Sequence, residues 1–156
     1  MTALTLQGCA EASARTPLVD SRESAEALAE AVLEALNHED KAALQGFLLS
    51  REEYEDHLWP EMPDGEYTPF DFVWSLASAN NVKGLGQLLA EYGGMHLEVV
   101  SITFTEEPEV YDSFTLHLGA EVLVRNPETG DEGVLPSFDV FVEYGAGWKL
   151  MNFDEL

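Results

Sequence analysis

Apolar residues occupy every second position from Phe114 to Val124. A period of two over this length is typical of a β-strand with one face in a hydrophobic core. We therefore expect this stretch to be the central strand of an antiparallel sheet. Three further strand patterns follow the double glycine at residues 93–94, and they cover residues 96–105, 133–144 and 148–153.

Interruptions of these patterns predict where the sheet is irregular. The first strand changes phase near Val99, which indicates a bulge or a twist. Pro136 cannot donate a ladder hydrogen bond, so it marks a bulge or an edge position in the third strand. Successive strands are joined by an acidic loop at residues 106–112 and by a hairpin turn at residues 126–131, which predicts a meander.

The chain before the double glycine has helical spacing instead. Apolar residues recur every three or four positions from Ala25 to Leu36, which predicts an amphipathic first helix. Asp40 is suited to cap a short second helix, and Ser50 with Glu53 makes a capping box for a third. A proline-rich loop at residues 60–69 follows these three helices.

A longer fourth helix should begin near Pro69 and end at the double glycine. Gly84 and Gly86 lie inside its apolar stripe, and each costs about 1 kcal/mol relative to alanine. We therefore expect a bend or break near Asn80-Asn81.

Helices followed by a meander of strands predict an α+β fold rather than an α/β fold. N-terminal helices should pack on a curved C-terminal antiparallel sheet of about four strands. With 156 residues, the chain is long enough for one domain with a substantial core. We expect residues 1–20 to be a flexible leader or tether and residues 21–156 to form a single domain.

Charge is the most unusual feature of the composition. The chain has 30 acidic and 7 basic residues, which gives a formal net charge of −23. Such a surface repels phosphate backbones, which argues against binding to nucleic acids and against binding to anionic membranes through a basic patch. The acidity favours a role in solubility or adaptation to salt, and cation binding is the alternative.

The tetrad Leu6-Gln7-Gly8-Cys9 contains the one cysteine and resembles the lipobox of bacterial lipoproteins, where a lipid-modified cysteine becomes the first residue. A signal peptide needs a basic segment and an apolar stretch of about 7–15 residues, so lipidation of Cys9 would require an upstream start. We expect a lipoprotein of the cell envelope or periplasm, tethered by residues 10–20. The alternative is a cytoplasmic protein with a chance tetrad.

Three features together resemble the cystatin-like α+β superfamily, which includes nuclear transport factor two, polyketide cyclases and ketosteroid isomerases. They are the amphipathic first helix, the step into a second short helix at residues 37–44, and the last strand at residues 148–150. The helix at residues 50–59 departs from the usual plan, because many members have an early strand there. Residues 52–63 also resemble a segment of bacterial proteins that have no assigned activity.

The resemblance implies a sheet that curls around a cone-shaped pocket, which the helices close. The isomerases of the superfamily use a carboxylate base in this pocket, with a tyrosine and a protonated carboxylic acid as hydrogen-bond donors. These positions have no match here residue by residue, and the predicted strands carry no inward carboxylate. We therefore assign no catalytic residue.

Aromatic residues around the proline-rich loop form the first candidate site. They are suited to line the entrance of a pocket for a small apolar ligand, and the alternative is that they pack the helical layer. These residues are Tyr54, His57, Trp59, Tyr67 and Trp74.

A polar cluster on the strands is the second candidate site. His117 and Glu121 share one strand face, and Asp139 and Glu143 share the corresponding face of the next strand. The alternative is a solvated outer face. The four histidines lack the HxH and HExxH spacings of zinc sites, so we expect neither a metal nor a cofactor.

The same strand face also carries Leu123, Phe141, Met151 and Phe153, which would form an apolar patch for a homodimer if this face lies outside. Taken together, these features predict a non-catalytic, exported binding or interaction domain. Its partner would be a small apolar ligand, another envelope protein or a second copy. The alternative is a small-pocket enzyme such as an isomerase or a cyclase.

Overall fold

The computed structural model describes residues 16–154. Helix α1 spans Ala25–Asn37, and the Ser24 side chain caps it by accepting a hydrogen bond from the Ala27 N–H. One face of α1 packs into the core, as its spacing predicts. The predicted stripe is buried at Ala25, Leu28, Ala29, Val32, Leu33 and Leu36.

Helix α2 spans Lys41–Gly46, and Asp40 caps it as predicted. Helix α3 is a single turn, Arg51–Glu53, that opens with the predicted capping box at Ser50. The chain then continues as a short π-helix and two short 3₁₀-helices. These segments are Tyr54–Leu58, Trp59–Glu61 and Pro63–Glu66.

Helix α4 spans Phe70–Tyr92 without interruption, so a break near Asn80-Asn81, one of the two predicted alternatives, does not occur. Its two glycines have different surroundings. A Cβ atom on Gly84 would lie 2.3 Å from the carbonyl oxygen of Phe153, so a glycine is needed where the C-terminal chain passes the helix. A Cβ atom on Gly86 would meet no atom of the described chain within 4 Å.

The C-terminal half forms two antiparallel sheets, of order β1-β4-β5 and β2-β3-β6-β7. The predicted bulge lies in β1, between Val99 and Ser101. The short β2 lies in the segment predicted to be an acidic loop. The strands are β1 Glu98–Phe104, β2 Glu109–Val110, β3 Phe114–His117, β4 Ala120–Arg125, β5 Glu132–Leu135, β6 Phe141–Tyr144 and β7 Gly147–Leu150.

Two of the predicted strands are each divided between the sheets, so the structure has more strands than predicted. The central one breaks at Gly119, where φ is 64° and a Cβ atom would lie 2.3 Å from Thr105 Oγ1. The third one breaks at residues 136–140, where Ser137 has a φ of 87°. The predicted meander order is kept, because β3 pairs with β6 and β4 with β5.

Apolar side chains form two buried clusters on opposite faces of β6. The main core lies among α1, α4 and the strands and contains Phe141. The second core lies among the π-helix, the start of α4 and the four-stranded sheet, and it contains Val142. Adjacent strand residues point to opposite faces, so β6 is covered on both sides.

The apolar surface patch predicted from Leu123, Phe141, Met151 and Phe153 does not form. Phe141 is 1% exposed and Phe153 is 0% exposed, and both belong to the main core. The prediction is wrong because it assumes a single buried face for each strand, whereas β6 has a core on each side.

The predicted α+β class is confirmed, and the arrangement of helices and antiparallel sheets is compatible with a cystatin-like fold. Leu18, from the segment predicted to be a tether, is buried in the second core. Cys9 lies outside the described residues. Within residues 16–154, no helix has the length and apolar character needed to cross a membrane.

Candidate functional site

A pocket of about 340 Å³ lies between α4 and the segment that follows β7. Much of its wall is apolar. Tyr54 and Trp74 form the aromatic part, with ring centroids 6.3 Å apart. The apolar wall consists mainly of Leu49, Tyr54, Trp74, Ala77, Val140 and Met151.

Four polar residues lie together in the lining of this pocket. Asn80 and Asn81 come from α4, and Asn152 and Asp154 come from the C-terminal segment. The N–H of the intervening Phe153 donates a 2.9 Å hydrogen bond to Asn81 Oδ1, which brings the two pairs together. An apolar wall with a few grouped polar side chains is typical of small-molecule sites.

Two contacts hold the C-terminal segment in place. Gly84 leaves room for its backbone against α4. The Asp154 N–H donates a 2.9 Å hydrogen bond to the carbonyl oxygen of Ser137, in the break between β5 and β6. The segment therefore joins the helix to the irregular part of the sheet.

Asp154 has an unusual carboxyl group. Burial raises its pKa above the ordinary value of 3.8, and the negative charge of Asp139 raises it further, whereas a hydrogen bond from Asn152 acts in the opposite direction. A carboxyl group with a raised pKa beside a pocket is a candidate functional group.

Two buried polar atoms near Asp154 also stand out. Ser137 is 5% exposed, and its Oγ has no hydrogen-bond partner among residues 16–154. In the same described range, Asn152 Oδ1 also lacks one. Strained backbone, as at Ser137, and unsatisfied buried polar atoms often occur at functional sites.

Comparisons of the chain with protein-family models, curated proteins and solved structures find no match. The residues that line the pocket are therefore the basis for inferring which molecules it can bind. The pocket can hold the apolar body of a small molecule against Trp74 while Asp154 and Asn80 exchange hydrogen bonds with a polar group. In the part of the chain that the structure describes, no three His, Cys, Asp or Glu side chains are grouped to hold a metal ion.

The structure brings together some of the aromatic residues predicted at a pocket entrance. Tyr54 and Trp74 line the pocket. Trp59 packs beside them in the aromatic cluster, with its ring centroid 6.2 Å from that of Tyr54. His57 stacks instead on a core tyrosine, with ring centroids 4.7 Å apart, and Tyr67 is 85% exposed.

The structure joins two of the four residues predicted to form a polar cluster. His117 Nε2 lies 2.8 Å from Glu143 Oε2, on a partly exposed face of the second sheet. Glu121 is exposed on β4. Asp139 instead acts on the pocket carboxyl group of Asp154.

Sequence reasoning missed a buried ion pair next to the pocket wall. Lys149 Nζ donates to Glu53 Oε2 at 2.9 Å, and the two side chains are 4% and 8% exposed. The same carboxylate accepts hydrogen bonds from the N–H groups of Val19 and Ser50. Burial raises the pKa of Glu53, but the hydrogen bond from Lys149 and the backbone hydrogen bonds outweigh it, so the net pKa is lowered.

Sequence reasoning also missed the polar side of the pocket. Asn81 does carry a signal in the sequence, because it is a polar residue in the apolar stripe of α4. In the structure its side chain is buried, and the residue is 8% exposed. Asn152 lies inside the predicted last strand and Asp154 comes directly after it, and neither carries such a signal. They become recognisable only when the segment is placed against the helix.

Replacing Asp154 with asparagine should change how stability depends on pH. Because the pKa of Asp154 is raised above 3.8, its protonated form stabilises the fold below that pH, and this contribution is lost as pH rises through the folded-state pKa. The stability of the natural protein relative to Asp154→Asn should therefore fall with rising pH in this interval. Urea denaturation from about pH 3 to about pH 7 measures this difference.

The exposed Asp131 provides the matched control, since Asp131→Asn removes one negative charge from the hairpin turn. Parallel stability curves for Asp154→Asn and the natural protein over the whole range would contradict the expected change.

Proposed function

We infer that the protein is a non-catalytic binding domain that takes up a small, mainly apolar molecule with one polar end. The observation that carries this inference is the pocket between α4 and the C-terminal segment, with an apolar wall and a grouped polar side. Its volume of about 340 Å³ falls in the range of about 300–1,000 Å³ that is usual for small-molecule sites.

The charges around the pocket restrict the class of ligand. The chain has a formal net charge of −23, and Asp154 lies at the polar side of the pocket. An anionic ligand would be repelled by the protein as a whole and by Asp154 in its ionised form. The ligand should therefore be neutral or positively charged, with a hydrogen-bonding group that meets Asn80 and Asp154.

N-phenyl-1-naphthylamine, a neutral apolar dye with one N–H donor, is a suitable probe. We expect it to fluoresce on binding and to receive excitation energy from Trp74, which lines the pocket. Ala77→Phe places a bulky side chain in the pocket wall and should weaken binding by at least about tenfold. Titrations that follow dye and tryptophan emission measure both effects.

Ala146→Phe is the matched control, because Ala146 is exposed in the turn between β6 and β7. This variant should bind the dye like the natural protein. If the natural protein fails to bind the dye, or if Ala77→Phe and Ala146→Phe bind it equally well, the pocket is not the binding site.

A small-pocket isomerase or cyclase is the second candidate function. The raised pKa of Asp154 favours it, because a carboxyl group in that state can act as a general acid or base beside a bound substrate. Such an enzyme should exchange hydrogen for deuterium next to the carbonyl group of small ketones, and Asp154→Asn should lose the exchange. Nuclear magnetic resonance of a ketone panel in D₂O tests this, and an absence of exchange favours the binding function.

Membership of the cystatin-like superfamily belongs to the same proposal. The α+β class and the meander of strands support it, and so does a pocket next to the helices. Lipid anchoring at Cys9 and a place in the cell envelope are also part of the proposal, and they rest on the tetrad that ends at Cys9. Metabolic labelling with a fatty acid, compared with Cys9→Ser, tests the anchor.

A further inference from the structure

Helix α4 carries the longest stretch of the chain without an acidic residue. Residues 72–90 contain neither Asp nor Glu, and Lys83 is the one charged residue among them. The whole chain has 30 acidic residues in 156. A negatively charged partner that approaches these residues meets no acidic side chain among them, which lowers the repulsion there.

The outward side of this stretch is apolar and exposed. Phe72 is 59% exposed, Leu76 is 54% exposed and the flanking Val82 is 57% exposed. Residues at helical spacing along this side form a stripe, here called the α4 stripe. Its members, all exposed, are Phe72, Leu76, Ala79, Lys83, Gly86 and Ala90.

The α4 stripe changes in size along its length. Its first half carries the bulky Phe72 and Leu76, whereas the rest of it has the small Ala79, Gly86 and Ala90 beside the long Lys83. Gly86 weakens the helix, and nothing in the described chain requires a glycine there. A partner that packs closely against this half would account for it.

We propose that two copies of this protein associate through their α4 stripes, with the helices antiparallel. A two-fold axis near Ala79 sets Phe72 of each copy against Gly86 of the other, so a bulky residue meets a residue without a side chain twice. The charge of −23 on each copy opposes contact through acid-rich faces and leaves this one open. The pocket residues Trp74 and Asn81 lie on the opposite side of α4.

The test is sedimentation velocity over a concentration series up to about 100 µM, in low and high sodium chloride. We expect a dimer whose fraction rises with protein concentration and with salt, because salt screens the repulsion between the copies. Leu76→Glu places an acidic residue in the stripe and should weaken the dimer by at least about tenfold. Val110→Glu makes the same change at a residue that is 75% exposed on β2 and should leave the dimer intact.

Gly86→Leu separates dissociation from misfolding. It fills the small half of the stripe and should also weaken the dimer, yet leucine favours a helix more than glycine does, so the thermal midpoint of the dilute protein should not fall. The proposal is overturned by a natural protein that stays monomeric at every concentration and salt level. It is equally overturned if Leu76→Glu and Gly86→Leu dimerise like the natural protein.

Discussion

Lys149→Met should destabilise the protein by about 3–5 kcal/mol, the range for breaking a buried ion pair by removing one partner. In the variant, the Glu53 carboxylate stays buried and keeps its backbone donors, but it loses the cation 2.9 Å away. Because the pair connects α3 to β7, its loss also loosens the packing of the second core. Urea denaturation at neutral pH measures the change in the free energy of unfolding.

The double variant Glu53→Gln with Lys149→Met should recover part of this loss, because it leaves no unpaired charge in the core. A loss of less than about 1 kcal/mol for Lys149→Met, as for exposed ion pairs, would contradict the burial of the pair.

The destabilisation by Lys149→Met should also depend on pH. The pKa of Glu53 is lowered from 4.5, so the stability that ionised Glu53 contributes is complete above pH 4.5 and is lost as pH falls through the folded-state pKa. The difference between Lys149→Met and the natural protein should therefore be largest at neutral pH and should shrink in acid. The same denaturation series in acidic buffers measures this trend.

Gly84→Ala should destabilise the protein by about 1–3 kcal/mol, whereas Gly86→Ala should stabilise it by up to about 1 kcal/mol. The new Cβ atom at residue 84 would lie 2.3 Å from the carbonyl oxygen of Phe153 and 2.6 Å from that of Asp154, so the C-terminal segment must move. At residue 86 the new methyl group meets nothing in the described chain and simply improves helix propensity.

The two glycine variants are matched controls for each other, since they make the same substitution two residues apart on one helix. Thermal unfolding of dilute protein gives the sign of each effect. Gly84→Ala should also weaken binding of the naphthylamine dye, because the displaced segment forms one side of the pocket. Equal effects of the two substitutions on stability would contradict the close packing of Phe153 on α4.

Local patterns in the sequence predict the helices and the order of the strands. The caps at Asp40 and Ser50 act within one helical turn, so spacing alone identifies them. The division of the central strand at Gly119 depends on the approach of Thr105, and the need for a glycine at position 84 depends on the approach of Phe153. These contacts join distant parts of the chain, and no local pattern encodes them.

The residues of the candidate site also fall into two groups: those that a local sequence pattern indicates and those that depend on contacts between distant parts of the chain. Aromatic residues next to a proline-rich loop are a local signal, and two of the five residues that it selects, Tyr54 and Trp74, line the pocket. The pairing of Glu53 with Lys149 spans 96 residues and depends on how the sheet curls. Asp154 gains its raised pKa only from burial and from Asp139. The chemistry of the pocket thus arises from packing between elements, which a single sequence does not specify locally.

Native mass spectrometry of the natural protein, Ala77→Phe and Ala146→Phe, each purified from the same kind of cells, tests ligand binding in the pocket most directly. The natural protein and the control Ala146→Phe should each retain one small organic molecule, neutral or positively charged, and Ala77→Phe should carry none. If all three proteins carry no ligand, or if Ala77→Phe retains the same added mass, binding in this pocket is contradicted.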